Sequence, residues 1–223
     1  MSLKSYNLAT GTPAVATKIG AMNPASLPRL PLILASTSRY RRELLERLHL
    51  PFAVLAPQVD ETPQPGEAPP DLALRLALAK ARAVAQGRPE AVVIGSDQVA
   101  DLDGLPIGKP GNHARATAQL RQLSGRRVVF QTAVAVVRAD VGFEQALLAP
   151  VTVQFRSLSD AEIERYLRLE EPYDCAGSAK SEGLGIALLE RIDNKDPTAL
   201  IGLPLIETAR MLRAAGVPIL GGA

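Results

Sequence analysis

An α/β fold is predicted by three features of the chain. Short apolar runs alternate with helical periodicities from residue 31 onward. Small hydroxyl residues sit where a strand gives way to a helix, and two long segments alternate apolar and polar residues as half-buried strands do. The first strand spans Leu32 to Ala35. Ser36, Thr37 and Ser38 follow it and open a helix from about Arg41 to Leu50. Pro57 to Pro70 is a proline-rich loop inside the domain, because strong periodicity resumes in a helix over Asp71 to Gln86. Ala91 to Gly95 reads as a buried strand. Asn112 to Leu123 reads as a helix with Gly125 just beyond its end. Arg127 to Val137 and Val151 to Arg156 are the alternating strands. Ser159 with Glu162 forms a capping box for a helix reaching about Leu169, and Pro204 and Gly216 bracket a last helix over Leu205 to Ala215. No internal repeat is present.

The chain has 223 residues, with 25 basic and 23 acidic side chains and 47% apolar content. That is enough for one large domain or two lobes, and it excludes fibrous and wholly disordered classes. A formal charge of +2 is too small to drive nucleic-acid binding through bulk electrostatics, so any anion site must be local. The longest clean apolar stretches stop far short of the roughly 20 residues a membrane span needs. Cys175 has no partner for an internal disulfide. His49 and His113 lie too far apart for a Cys/His zinc cage, and the single cysteine fits a reducing, cytoplasmic compartment. Residues 1–28 lack periodicity and a signal-peptide layout and read as a flexible leader ahead of one domain over 29–223. Met22 stands shortly before the first strand and is an alternative start.

Several side chains suggest chemistry. On its helix Arg41 falls in the stripe of Leu44, Leu45 and Leu48, behind Ser36 and Ser38. One reading is a compact oxyanion site at free helix N–H groups. The other is an N-cap with an arginine reaching out to water. Lys80 falls on the inward face of its helix among Ala73, Leu76, Ala83 and Val84, where an ammonium pairs with a buried or cleft acid or with a ligand anion; the other reading is a stem packed on apolar surface with its head in solvent. Asp97 follows the apolar Val92–Ile94 run, so it is expected at the carboxyl end of a central strand, where open α/β sheets bind ligands. Asp60 and Glu61 begin the proline-rich loop, and Lys109 sits in Ile107-Gly-Lys-Pro110. Taken one at a time, these carboxylates are ordinary turn formers or surface charges. Together they supply oxygen ligands for Mg²⁺ and cations for phosphate.

Other motifs fail. Gly104 to Lys109 is too short for a Walker A loop and runs into proline, and Gly177, Gly183 and Gly185 lack dinucleotide-binding spacing. Cys175 has no activating histidine in motif context and reads as a structural thiol, while His49 and His113 read as surface residues.

The ordered set Ala35-Ser-Thr-Ser-Arg-Tyr-Arg-Arg42, Val59-Asp-Glu-Thr62, Lys80, Gly95-Ser-Asp-Gln98, Ile107-Gly-Lys-Pro110 and Cys175-Ala-Gly-Ser-Ala-Lys-Ser-Glu-Gly183, with Ile201-Gly-Leu-Pro204 as a tail, resembles the Maf family of nucleotide pyrophosphatases over about residues 31–216. The resemblance implies a two-lobed α/β fold related to the inosine triphosphate pyrophosphatases, with an elongated mixed sheet flanked by helices and a nucleotide cleft between the lobes. It also implies a cytoplasmic hydrolase that uses a divalent cation, Mg²⁺ or Mn²⁺, to split nucleoside triphosphates into monophosphate and pyrophosphate, and a homodimer. Carried over by position, Ser36, Ser38, Arg41 and Arg42 would hold phosphates. Glu61 and Asp97 would organise metal and water, and Lys80 and Lys109 would neutralise developing charge. Arg39 departs from the family pattern, which has proline there; it removes a φ constraint and adds a cation.

Within the family, Tyr40, Gln98 and Glu182 resemble the branch that acts on 7-methyl-GTP and other modified nucleotides. N7-methylation makes guanine cationic, which suits an aromatic face and a nearby carboxylate. Two alternatives stand beside this one: a dTTP/UTP pyrophosphatase of the same family, and a nucleotide-binding regulator of septum formation. No nucleic-acid or membrane partner is expected.

Overall fold

The computed structural model describes residues 30–220, so the leader expected over residues 1–28, with Met22, lies outside the described residues. The first strand, β1 (Leu32–Ala35), is buried along its whole length, as a continuous apolar run inside a parallel arrangement should be. Helix α1 (Arg39–Glu46) starts earlier than expected and stops sooner. Ser38 caps it, with Oγ accepting from the Arg41 N–H at 3.4 Å. Past Glu46 the chain turns, and His49 adopts a left-handed φ of 52° outside the helix. A short strand absent from the sequence reading, β2 (Ala53–Leu55), follows.

Helix α2 (Pro69–Ala85) begins on its prolines. They belong to the first turn, where a missing N–H costs nothing. Strand β3 (Val92–Leu102) continues well past the expected end at Gly95. The polar residues Ser96, Asp97 and Gln98 interrupt the apolar pattern but not the pairing, and the Asp103–Gly104 turn, with φ values of 53° and 84°, returns the chain into β4 (Leu105–Ile107). Both central residues at positive φ make a two-residue hairpin of the kind Asp-Gly favours.

Helix α3 (His113–Leu123) is capped by Asn112, whose side chain accepts from the Arg115 N–H at 3.0 Å. Strands β5 (Arg127–Arg138) and β6 (Phe143–Phe155) form a long hairpin, so β6 starts well before the expected Val151. Helix α4 (Asp160–Glu170) carries the predicted capping box. Strand β7 (Leu189–Asp193) and helix α5 (Leu205–Ala214) complete the described chain.

The seven strands form one mixed sheet in the order β2-β1-β3-β5-β6-β7, with β4 on β3. Strand β1 is parallel to β2 and β3, whereas β3, β5, β6 and β7 run antiparallel. Two apolar cores lie against the sheet around β1 and β3. One includes Leu44, Leu45 and Met211, and the other Leu72, Leu76 and Ala81. A third, built on Leu120, Phe155 and Leu167, fills a second lobe around the far halves of β3, β5 and β6.

The register creates a gap between the lobes. Strand β5 covers one edge of β3 from Val93 to Asp101. On the other edge β1 pairs only as far as Gly95, and β4 begins only at Ala100. Ser96 to Val99 therefore present an edge without a partner strand, about 13 Å of backbone at roughly 3.3 Å per residue. Among the described residues, no helix is long and apolar enough to cross a membrane.

Candidate active site

The gap in the β3 edge is the floor of a cleft of about 710 Å³, within the usual range for small-molecule sites. Asp97 lies mid-strand and not at a strand end. Its position still matches the principle behind the expectation, because it sits just past the carboxyl end of β1 at the switch from parallel to antiparallel pairing. Side chains alternate along β3, so Gly95 and Asp97 share the face that α2 covers. A Cβ on Gly95 would stand 2.1 Å from the Ala77 carbonyl oxygen, a contact that only glycine escapes. Helix and strand therefore touch at Gly95, and one helical turn beyond Ala77 brings Lys80 beside Asp97.

Lys80 is 5% exposed, and its Nζ lies 2.7 Å from Asp97 Oδ1 and 2.6 Å from Glu61 Oε1. The inward-facing lysine of the sequence reading thus has two carboxylate partners. Burial works to raise the Glu61 carboxyl. The hydrogen bond and charge of Lys80, with Lys109 and Arg41 behind it, outweigh burial and hold it below the usual carboxylate range. The loop that carries Glu61 is tied to α2 by Glu67, which accepts from Arg75 at 2.5 and 2.8 Å and from the Gln64 N–H at 2.9 Å. Arg75 also donates to the Thr62 carbonyl at 3.1 Å.

On the opposite wall, Ser36 is buried and its Oγ accepts from the Ser38 N–H at 3.1 Å. The Arg41 Nε donates to the Gly202 carbonyl at 2.9 Å, which leaves its terminal nitrogens for a ligand. Burial lowers its pKa, against the opposing pull of Asp97 and Glu61. The same carbonyl accepts from Ser96 Oγ at 2.9 Å, so one backbone oxygen ties α1 and β3 together. Lys109, just past β4, is exposed and lines the cleft.

The structure brings Ser36, Ser38, Tyr40, Arg41, Glu61, Lys80, Asp97, Gln98 and Lys109 to this one cleft, whereas Arg42 and Glu182 are not among its lining residues. Arg42 points outward, with its Nε 3.0 Å from Glu46 Oε1, because α1 turns successive residues by about 100° and only one of the two arginines can face inward. Glu182 is a surface residue whose carboxyl is pushed up by partial burial and by Glu170 and Glu43, with Lys180 pulling the other way. Gln98 reaches the cleft, but its Nε2 is held by Thr132 Oγ1 at 2.8 Å and by the carbonyls of Leu200 at 3.0 Å and Ala199 at 3.1 Å.

Asp174 was not singled out by sequence reasoning, yet it lines the cleft beside Tyr40. The available signal was its place directly before the Cys175 motif. Cys175 is half-buried and its thiol is pushed up to about 12, mainly by burial, so it stays protonated as a structural thiol would. His113, expected on the surface, is half-buried between Tyr173 Oη at 3.0 Å and Glu164 Oε2 at 2.8 Å.

A family model described as "Maf-like protein" matches residues 31–215. The chain belongs to the Maf family. It is 68% identical over 213 residues to a 7-methyl-GTP pyrophosphatase of Polaromonas sp., covering 96% of each chain. It is also 68% identical over 190 residues to one of Albidiferax ferrireducens, covering 85% of this chain and 96% of that one. A protein of the same name from Burkholderia thailandensis is 61% identical over 198 residues, covering 87% and 91%. Among solved structures, the Staphylococcus aureus Ham1 protein matches with a TM-score of 0.42 at 18% identity, covering 56% of this chain and 71% of that one.

Of the three carboxylates that line the cleft in this Maf-family chain, Glu61, Asp97 and Asp174, the first two stand together at Lys80 and are the pair that could hold a divalent cation. No cluster of three or more His, Cys, Asp or Glu suited to a metal occurs among the described residues. Two hard oxygen donors fit an ion that completes its shell with substrate phosphates and water, the habit of Mg²⁺.

Proposed function

We propose that this chain is a nucleoside triphosphate pyrophosphatase that hydrolyses 7-methyl-GTP, and other modified nucleotides, to the monophosphate and pyrophosphate. Water attacks the α-phosphorus, the bond from that phosphorus to the α–β bridging oxygen breaks, and pyrophosphate departs. The observation that carries the reading is Lys80 held between Glu61 and Asp97, facing Ser38, Arg41 and Lys109 across one cleft. The names of relatives at 61–68% identity support the choice of nucleotide.

Each side chain then has a task. Ser36, Ser38 and Arg41 receive phosphate oxygens beside the start of α1. Asp97, with Oδ1 engaged by Lys80, offers Oδ2 to orient the attacking water and accept its proton. Lys80 and Lys109 offset the charge that builds on the bridging oxygen and the departing pyrophosphate. Tyr40 offers a ring face to the base. Glu61 and Asp97 would hold a divalent cation, Mg²⁺ or Mn²⁺, which supplies charge neutralisation and Lewis acidity at the phosphates.

Pyrophosphate release from 7-methyl-GTP, GTP and dTTP in the presence of Mg²⁺ or Mn²⁺ tests the reading. 7-Methyl-GTP is expected to be turned over fastest. Asp97→Asn is expected to lower kcat by about 10²- to 10⁴-fold, the usual scale of a lost general base, while nucleotide binding persists. Equal turnover of dTTP and 7-methyl-GTP would reject it.

A further inference from the structure

Lys109 is exposed, and the backbone that carries it has glycine on both sides, Gly108 and Gly111, the second at a φ of 74°. Glycine opens many conformations to such a loop, so the aim of the ammonium depends on what holds the backbone. Two hydrogen bonds hold it. The Gly108 carbonyl accepts from Gln119 Nε2 at 3.0 Å, and the Gly111 N–H donates to the Tyr173 carbonyl at 2.9 Å. Pro110, between them, is buried.

Gln119 lies on α3 and is half-buried, and both ends of its amide are engaged. Ser178 Oγ donates to Gln119 Oε1 at 2.6 Å. The partners fix the orientation of the amide: the Gly108 carbonyl can only accept, so the amide nitrogen faces it, and the amide oxygen is left for the Ser178 hydroxyl. Ser178 is buried at a left-handed φ of 55°, a conformation a non-glycine residue keeps only where its surroundings overdetermine it. Tyr166 Oη supplies part of that hold. It donates to the Ser178 carbonyl at 3.1 Å and accepts from the Lys180 N–H at 3.0 Å. Helix α3 meets the same stretch a second time, where a His113 ring nitrogen stands 3.0 Å from Tyr173 Oη. Both anchors of the Lys109 loop, Tyr173 and Ser178, thus belong to one short stretch that α3 braces at each end.

Resting on the function proposed above, we propose that Gln119 is a positioning residue: by joining the Gly108 carbonyl to Ser178 it holds Lys109 toward the triphosphate. Gln119 is not among the residues that line the cleft, whereas Gly108 and Lys109 are, so it acts through the loop and touches no substrate. Ser178 is the fixed post, and Gln119 is the strut that runs from it to the loop.

The test measures kcat/KM for pyrophosphate release from 7-methyl-GTP in the unaltered chain, Gln119→Met, Lys109→Met and the double variant, with the thermal unfolding midpoint of each as a check on folding. Amide hydrogen exchange at Gly111 gives a readout independent of turnover. Gln119→Met keeps the length of the side chain and loses both bonds. It is expected to lower kcat/KM about two- to tenfold, the span of one neutral hydrogen bond, and to speed exchange at Gly111. In the Lys109→Met background it is expected to cause no further loss of kcat/KM, because no ammonium remains to be aimed; a merely structural defect would lower the rate equally in both backgrounds. Ser178→Ala removes the proton donor alone and serves if Gln119→Met does not fold, with the same direction expected in rate and exchange. If the altered strut leaves kcat/KM unchanged, leaves exchange at Gly111 unchanged, or costs the same factor with and without Lys109, the assignment to Gln119 is overturned while the proposed function stands. If the unaltered chain releases no pyrophosphate from 7-methyl-GTP, the proposed function falls, and exchange at Gly111 alone decides whether Gln119 holds the loop.

Discussion

A methyl group added to Gly95 would stand 2.1 Å from the carbonyl oxygen of Ala77 and 2.7 Å from the Ala81 nitrogen, so α2 and β3 meet backbone to backbone. This contact sets the reach of Lys80 to Asp97. Gly95→Ala is expected to cost about 1–3 kcal/mol, the range for overpacking a tight interior, measured by urea unfolding. It is also expected to reduce kcat in the folded fraction by pushing Lys80 away from Asp97. A variant with full activity and unchanged stability would show that the close approach has no functional consequence.

Lys80→Met removes the cation shared by two carboxylates. Breaking a buried pair costs about 3–5 kcal/mol, and about 3 kcal/mol is expected here because Glu61 is partly exposed. With Lys80 gone, the lowering influence on Glu61 shrinks and the effect of burial remains, so its carboxyl rises. The acid limb of the pH–rate profile should accordingly move to higher pH in any residual activity. A limb that stays in place would mean that Glu61 does not govern it.

Glu67 is held down to about 2 by its hydrogen bonds to Arg75 and the Gln64 N–H, against an ordinary value of 4.5. A depressed carboxyl stabilises the fold fully above its unfolded value and loses that contribution as pH falls. The contribution is therefore present above about pH 4.5 and is lost as pH falls toward about 2. Glu67→Gln is expected to unfold at a lower temperature at pH 7 and to flatten the fall in midpoint over that window relative to the unaltered chain. Because Glu67 anchors the loop bearing Glu61, a raised KM should accompany the change.

Lys109 is exposed and faces the cleft, so Lys109→Met separates binding from folding. The unfolding midpoint should change by no more than about 0.5 kcal/mol in stability, the norm for surface positions. KM for the triphosphate should rise, and the rise should shrink as salt screens the lost attraction.

Removing divalent cations with a chelator is expected to abolish pyrophosphate release and leave the unfolding midpoint of the ligand-free protein unchanged. Two carboxylates already satisfied by Lys80 do not need an ion to fold. Full turnover in the chelator would remove the cation from the proposed chemistry.

Much of this arrangement was legible in the residues. The stripe Leu44, Leu45 and Leu48 put Arg41 on the inward side of α1, and the apolar face of α2 put Lys80 on its inward side, because helical period fixes a face before any tertiary contact is known; which partner each cation meets was not fixed by the period. The continuation of β3 was hidden because Ser96, Asp97 and Gln98 are polar where a buried strand is expected to be apolar. They are tolerated because Ser96 donates to the carbonyls of Ala133 and Gly202, Asp97 accepts from Lys80, and Gln98 donates to Thr132. Strand β4 was signalled by Asp103–Gly104 between apolar residues, but three residues are too few to show a period. The exclusion of Arg42 and Glu182 from the cleft lining was not legible, since a motif records which residues adjoin and not which way they point.

The window between β1 and β4 leaves Ser96 to Val99 without a neighbouring strand, and it is closed at both ends by paired backbone. An exposed strand edge is ordinarily an invitation to polymerise, because another chain can zip along it. Here the aperture is too short for a foreign strand to gain a foothold, and Ser96, Asp97 and Val99 are buried at the cleft floor, so the unpaired edge does not invite aggregation.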